Sequence, residues 1–166
     1  ATLVITSRGP QFRPATLREL AANGYDFAKS VLPLDEEPCG VFLPYDLAAI
    51  NSSGLTAEEA SRFGLQEPRG VSYSRGVMMT SGQHKGAMLL TMLARTPADI
   101  KAVVFVDDHG RHVLRVYDAL AGRGLAVSTF HYKREQDNVT RFEYSDKKDV
   151  ARRWRRLDKS LQAVFE

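Results

Sequence analysis

The stretch Lys101–Asp108 (KAVVFVDD) constrains the fold of this chain more than any other. Ala102 to Val106 form an unbroken apolar run, heavy in β-branched residues. That pattern fits a strand buried on both faces, in a parallel sheet covered by helices. The run stops at two adjacent carboxylates, Asp107 and Asp108. In an open α/β sheet, ligands bind in the crevice at the carboxyl ends of the strands. Two like charges placed there repel each other and destabilise the site unless something neutralises them. Two readings fit. A hard cation such as Mg²⁺, which takes one or two carboxylates plus water, would relieve the repulsion. Alternatively, the pair belongs to a polar loop whose first Asp caps a helix starting near Arg111.

The rest of the chain supplies the sheet this strand needs. Thr2-Leu3-Val4-Ile5 is a short buried-strand candidate, ended by the turn residues Thr6-Ser7-Arg8-Gly9-Pro10. A helix follows from about Pro14, with Leu17, Leu20 and Ala21 on its apolar face and Asn23-Gly24 as its stop. The same rhythm returns with the strand Val77-Met78-Met79-Thr80, the loop Ser81-Gly82-Gln83-His84-Lys85-Gly86 and a helix over Ala87–Ala94. Met88, Leu89, Met92 and Leu93 give that helix its core face. After Asp108 the pattern predicts a helix over Arg111–Ala121, then a last strand over Leu125–Phe130. Repeated strand–helix order implies an α/β fold with parallel strands and right-handed crossovers.

Residues 25–75 interrupt that rhythm with four prolines, at 33, 38, 44 and 68. Gly40–Leu43 and Gly70–Tyr73 read as strands, and Thr56 with Glu59 three residues on reads as the capping box of a short helix. The segment is an insertion with hairpin and short-helix content. With 166 residues, the chain is long enough for one domain with a real core and short for two, so residues 1–166 are expected to form a single domain.

Charge and composition exclude several functions. A net charge of +3 makes no demand for a nucleic-acid or membrane partner. The basic C-terminal segment is an amphipathic helix with Val150, Trp154, Leu157, Leu161 and Val164 at helical spacing. Its arginines are diluted by Asp146, Asp149 and Asp158 and lack interleaved aromatic platforms, so they read as the solvated face of a helix docked through Trp154. The single cysteine, Cys39, rules out an internal disulfide framework and a cysteine-rich metal site. No apolar run reaches the ~20 residues needed to span a bilayer. The expected compartment is a soluble one, cytoplasmic, or exported if a signal precedes the sequence.

Three loops therefore fall at the carboxyl ends of predicted parallel strands: Thr6-Ser7-Arg8, the loop holding Lys85, and Asp107-Asp108. Hydroxyls, a point positive charge and a carboxylate pair suit a phosphoryl group, with Lys85 and a hydroxyl on its oxygens and Mg²⁺ neutralising the rest. The order Val4-Ile5-Thr6, Lys85 at a helix start, then Val104-Phe105-Val106-Asp107-Asp108 resembles motifs II, III and IV of the haloacid dehalogenase (HAD) superfamily. More narrowly, Thr6-Ser7-Arg8, Ser81–Gly86 and Phe105–Asp108 resemble a bacterial HAD-like family of uncharacterised function, over nearly the whole chain.

That resemblance implies a Rossmann-like three-layer α/β sandwich with a parallel sheet, and a small cap inserted between motifs II and III, where residues 25–75 lie. It implies a catalytic pair, Thr6 and Lys85. It also implies a substrate-binding set of Thr6, Ser7, Arg8 and Lys85, and Mg²⁺ held by Asp107 and Asp108. The partner implied is a small phosphorylated substrate. The superfamily's first motif, an Asp-x-Asp carrying nucleophile and general acid, does not occur in this sequence. The expected function is therefore a Mg²⁺-dependent HAD-type phosphohydrolase, represented by its portion after the nucleophile and inactive alone. An upstream segment or a second chain would complete its sheet. The alternative is a non-catalytic phosphate-binding or protein-interaction module on the same fold. A phosphoacceptor receiver domain also pairs acids with a lysine, but carries its acids early and its lysine late; here Lys85 precedes the acids.

Overall fold

In the computed structural model, which describes residues 1–36 and 38–165, strand β1 (Val4–Thr6) runs into a single 3₁₀ turn and helix α1 (Arg13–Ala22). Irregular chain follows, broken by helix α2 (Ala57–Arg62). Strands β2 (Ser72–Ser74) and β3 (Val77–Met79) then form a hairpin. Arg75 and Gly76 at its tip have φ of 51° and 72°, the paired positive values of a two-residue type I′ turn. Glycine is required at the second position because a Cβ there would lie 2.7 Å from the Phe27 carbonyl oxygen. The Arg13 guanidinium of α1 pins the hairpin through the carbonyls of Ser72, Ser74 and Val77.

Helix α3 (Lys85–Leu93) leaves the end of β3. Strand β4 (Ala102–Asp107), helix α4 (Gly110–Leu120) and strand β5 (Ala126–His131) complete a unit spanning Ala1–His131. Two small sheets result. β1 pairs parallel with β3, from Val4 opposite Val77 to Thr6 opposite Met79, and β2 pairs antiparallel on the far side of β3. β4 and β5 pair parallel, from Ala102 opposite Ala126 to Asp107 opposite His131. The fold is thus mixed α/β with parallel strands, as the strand–helix rhythm implies. It differs in that β1 ends one sheet and β4 ends the other, where one continuous sheet is expected.

Both sheets face one core. Met78, Met88, Leu90, Met92, Val116 and Leu120 form its centre, with Ile5, Val103, Phe105 and Val127 packed against it. Residues of the 25–75 segment share this core: Leu32, Tyr45, Ile50, Leu55, Val71 and Tyr73 are all buried in it. The capping box of α2 forms as expected, with Glu59 N–H donating to Thr56 Oγ1 and Thr56 N–H to Glu59 Oε2. The Glu59 carboxylate also pairs with Arg123, which fastens α2 to the end of α4.

Three expectations are corrected. β4 is half-buried on one face only: Val104 and Val106 are 69% and 56% exposed, while Val103 and Phe105 on the opposite face pack against the core, with α4 over them. Gly40–Leu43 forms no strand; Phe42 makes an isolated bridge to Val71, and Pro44 follows immediately. The strand placed at Gly70–Tyr73 starts two residues later, at Ser72.

The second unit begins at Tyr132 and consists of helix α5 (Gln136–Tyr144), which the sequence pattern did not mark, and helix α6 (Lys148–Phe165). Within this unit Trp154 of α6 is exposed. No helix among the described residues is long and apolar enough to cross a membrane.

Candidate functional site

The carboxyl ends of β1, β3 and β4 are joined by polar contacts that bring the three predicted loops to one edge. The Thr6 carbonyl accepts both the backbone N–H and the hydroxyl of Thr80, at 2.9 and 3.0 Å. Ser81 N–H donates to the Arg8 carbonyl at 3.2 Å. The first loop is therefore stitched to the loop that leads into α3. At the other end of that loop, Lys85 Nζ reaches Asp107 Oδ2 at 2.7 Å, and both side chains are more than nine-tenths buried. This contact ties the start of α3 to the end of β4.

Lys85 sits in the first turn of α3, where the helix dipole is positive and disfavours a cation. Asp107 offsets that. Burial by itself raises the pKa of Asp107; the hydrogen bonds from Lys85 and from the His109 N–H outweigh it and hold the carboxyl below its ordinary value. The alternative reading, in which the first Asp caps the following helix, is not met: the N-cap of α4 is His109, no side chain caps the helix, and Asp107 Oδ1 instead accepts the His109 N–H in a local turn. Asp108 is exposed.

The other predicted residues are placed as follows. Thr6 Oγ1 accepts the Arg8 N–H at 3.3 Å. Ser7 is exposed and lines a cavity of about 820 Å³. Arg8 turns toward α1, donating to Thr16 Oγ1 at 3.0 Å and to Glu19 at 2.8 Å. Gly86 serves packing: a Cβ there would collide with the Arg115 carbonyl oxygen and lie 2.6 Å from Ala119 Cβ, so its absence lets α3 approach α4.

Mg²⁺ fits poorly on this chain's own residues. Asp107 already uses one oxygen on Lys85 and the other on His109 N–H. Among the described residues no group of three or more His, Cys, Asp or Glu is arranged to hold a metal ion. Asp108 alone stays open for coordination, and one exposed carboxylate is not a metal centre.

Residues 1–165 match the family model described as a protein of unknown function (DUF2608). The chain belongs to that family. No curated protein and no solved structure gives a significant match.

Several residues of this edge escaped the sequence reading. His84 caps α3, its Nδ1 accepting the Ala87 N–H at 3.1 Å, and its ring stacks on Phe63 at 4.7 Å. Burial, then the nearby Arg115 charge, pushes its pKa down to about 4, so it is neutral at pH 7 and free to accept. His112, on α4, is buried with Nδ1 unpaired, and its ring meets His109 edge-on at 5.5 Å. The spacing of His109 and His112 at i, i+3 directly after the acids was the available signal.

The loop itself is conformationally costly. Ser81 has φ of 53° and Gly82 of 73°, and a left-handed serine carries strain on the order of 1–3 kcal/mol. Ser81 is held there by its hydroxyl, which donates to the Gly70 carbonyl at 2.6 Å. The buried Gln83 amide clasps the neighbouring backbone in both directions, accepting the Arg69 N–H and donating to the Arg69 carbonyl.

Proposed function

We propose that the chain binds the phosphoryl group of a small phosphorylated substrate at the junction of the Thr6–Ser7 loop, Lys85 and the end of β4. In this reading it is the phosphoryl-binding part of a HAD-type phosphohydrolase on a Rossmann-like sandwich. The observation that carries it is the buried Lys85–Asp107 pair at the N-terminus of α3, beside a loop stitched to Thr6. Lys85 is held at the positive end of a nine-residue helix. Its charge and the positive end of the helix dipole together favour an oxyanion over any other ligand. Asp107 fixes the ammonium in place while an anion is absent.

Chemistry at this site needs groups that the chain does not carry. Thr6 and Lys85 position a phosphoryl group and stabilise charge on it, but neither is a replacement for a carboxylate nucleophile. Asp107 and Asp108 would hold Mg²⁺ firmly only with further ligands. A strand carrying such carboxylates, from an upstream segment or a second chain, is the partner this reading calls for. The terminal positions of β1 and β4 in their sheets leave each with an unpaired edge able to receive it.

The test is binding and turnover on the same preparation. Inorganic phosphate should bind, measured by calorimetry, and Lys85→Gln should abolish that binding while circular dichroism reports a folded chain. Hydrolysis of 4-nitrophenyl phosphate with Mg²⁺ should stay at background. Phosphate binding that survives Lys85→Gln sinks the placement of the site. Robust turnover by this chain would sink the claim that the nucleophile must come from elsewhere, since loss of a covalent nucleophile costs several orders of magnitude in rate.

A further inference from the structure

We propose that Arg69 makes the site selective for phosphate esters that carry a second anionic group. This rests on the phosphoryl-binding reading above and extends it to substrate class. The cavity of about 820 Å³ opens beside the phosphoryl loops, and its walls include Ser7, Gln11, Val41, Arg69, Ser81 and Gly82. Ser7 belongs to the first phosphoryl loop, and Ser81 and Gly82 lead into Lys85. A ligand whose phosphoryl group sits at the Ser7 and Ser81 side of this cavity would extend along the side that carries Arg69.

Three features make Arg69 a built recognition group. Its backbone is locked by the two-way clasp of Gln83, at 3.0 and 2.9 Å, and the next residue is held by Ser81. Its guanidinium lies over Gly82, where an added Cβ would stand 3.8 Å from one terminal nitrogen and 3.9 Å from the other. No carboxylate lies within ion-pair distance of it among the described residues, whereas Arg8 and Arg123 are paired with glutamates. An unneutralised planar fork on a fixed backbone recognises a carboxylate or phosphate through two parallel hydrogen bonds. Gln11 and Ser81 add only neutral partners, so the positive charge on this wall stays uncompensated until a ligand arrives. The absence of a side chain at Gly82 leaves room for the Arg69 guanidinium to lie over the loop.

The experiment compares four probes on the full chain by calorimetry: inorganic phosphate, ethyl phosphate, phosphoglycolate and ethylene glycol bisphosphate. The two probes with an anionic tail, phosphoglycolate and ethylene glycol bisphosphate, should bind about tenfold or more tighter than ethyl phosphate, the effect of one charge-assisted pair. The stronger of the two identifies the second group as carboxylate or phosphate. Arg69→Gln should erase that advantage and leave inorganic phosphate binding unchanged. Arg69→Lys should restore part of it, because charge returns without the fork. The Gln83 clasp involves only the Arg69 backbone, so both variants keep the loop. An advantage that is absent, or that survives Arg69→Gln, overturns the inference while phosphoryl binding stands. Failure of all four probes to bind overturns both.

Discussion

Replacing Lys85 with methionine isolates the contact on which the site depends. The ammonium and the Asp107 carboxylate are 2.7 Å apart and 9% and 6% exposed. Removing one partner of such a pair leaves an uncompensated buried charge, at a cost of about 3–5 kcal/mol. Methionine keeps the aliphatic length of the side chain, so little of that loss is packing. In a chain of this size each kcal/mol lowers Tm by about 2–4 °C, so the expected drop is about 6–20 °C at pH 7. Replacing both members, Lys85→Met with Asp107→Leu, removes the stranded charge and should recover most of it. Thermal unfolding followed by circular dichroism, with the two single variants and the double, closes the cycle. Additive losses in the double variant would show that the pair is not coupled, and the argument for a locked Lys85 would fall.

The same cycle has a pH signature. The folded pKa of Asp107 lies below its ordinary value, because Lys85 and the His109 N–H outweigh burial. Its contribution is therefore complete above the unfolded carboxylate pKa of about 3.9 and is lost as pH falls through the lower folded value. In Lys85→Met the sign reverses. Burial then dominates, the Asp107 pKa rises, and the variant loses stability as pH climbs from about 4 toward neutrality. The gap between wild type and variant should widen with pH over that interval. A constant gap would contradict the assignment.

Two further outcomes follow from the geometry around this pair. Mg²⁺ titrated into the chain should bind weakly, because Asp107 is engaged, and Asp108→Asn should remove what binding there is. Equal heats from both proteins would take Asp108 out of the assignment. His84 has a folded pKa near 4, set first by burial and then by Arg115, so the unfolded chain binds more protons between about 4 and 6.5 and stability rises with pH there. His84→Asn keeps an acceptor for the Ala87 N–H but does not titrate, and should flatten part of that slope in Tm measured from pH 4 to 7. An unchanged slope would assign it to other groups, His112 among them.

What the sequence made legible was the position of loops relative to strands. Thr6, Lys85 and Asp107 were recognisable because each follows an apolar run and precedes a helical period, and that order places them at one edge in any parallel α/β arrangement. Thr56 and Glu59 were legible for a more local reason, since a capping box is complete within four residues. The covering of β4 was not legible. An apolar run says that a strand can be buried on both faces, whereas the exposure of Val104 and Val106 depends on which helices arrive, and α4 arrives on one side. Sheet continuity was hidden for a similar reason. Whether β1 and β4 share a neighbour is a long-range pairing that neither strand's own composition encodes.

Arg69 shows where periodicity stops being informative about function. It lies in an irregular stretch, 16 positions before Lys85, between prolines and glycines that mark turns without fixing their direction. Nothing in its neighbours distinguishes it from a solvated surface arginine. Its placement comes from Gln83, a buried amide inside the loop that does attract notice. Glutamine is seldom fully buried unless its amide is satisfied at both ends. Gln83 meets that condition with the Arg69 backbone and the Thr80 carbonyl. The sequence places Gln83 in a polar loop, and its burial between a strand end and a helix start, satisfied by a distant backbone, is seen only in the structure. Through Gln83 and Ser81 the Arg69-Gly70 segment, which lies outside the strand–helix rhythm, is fastened onto the loop that leads into α3, and no motif announces the charge it brings there.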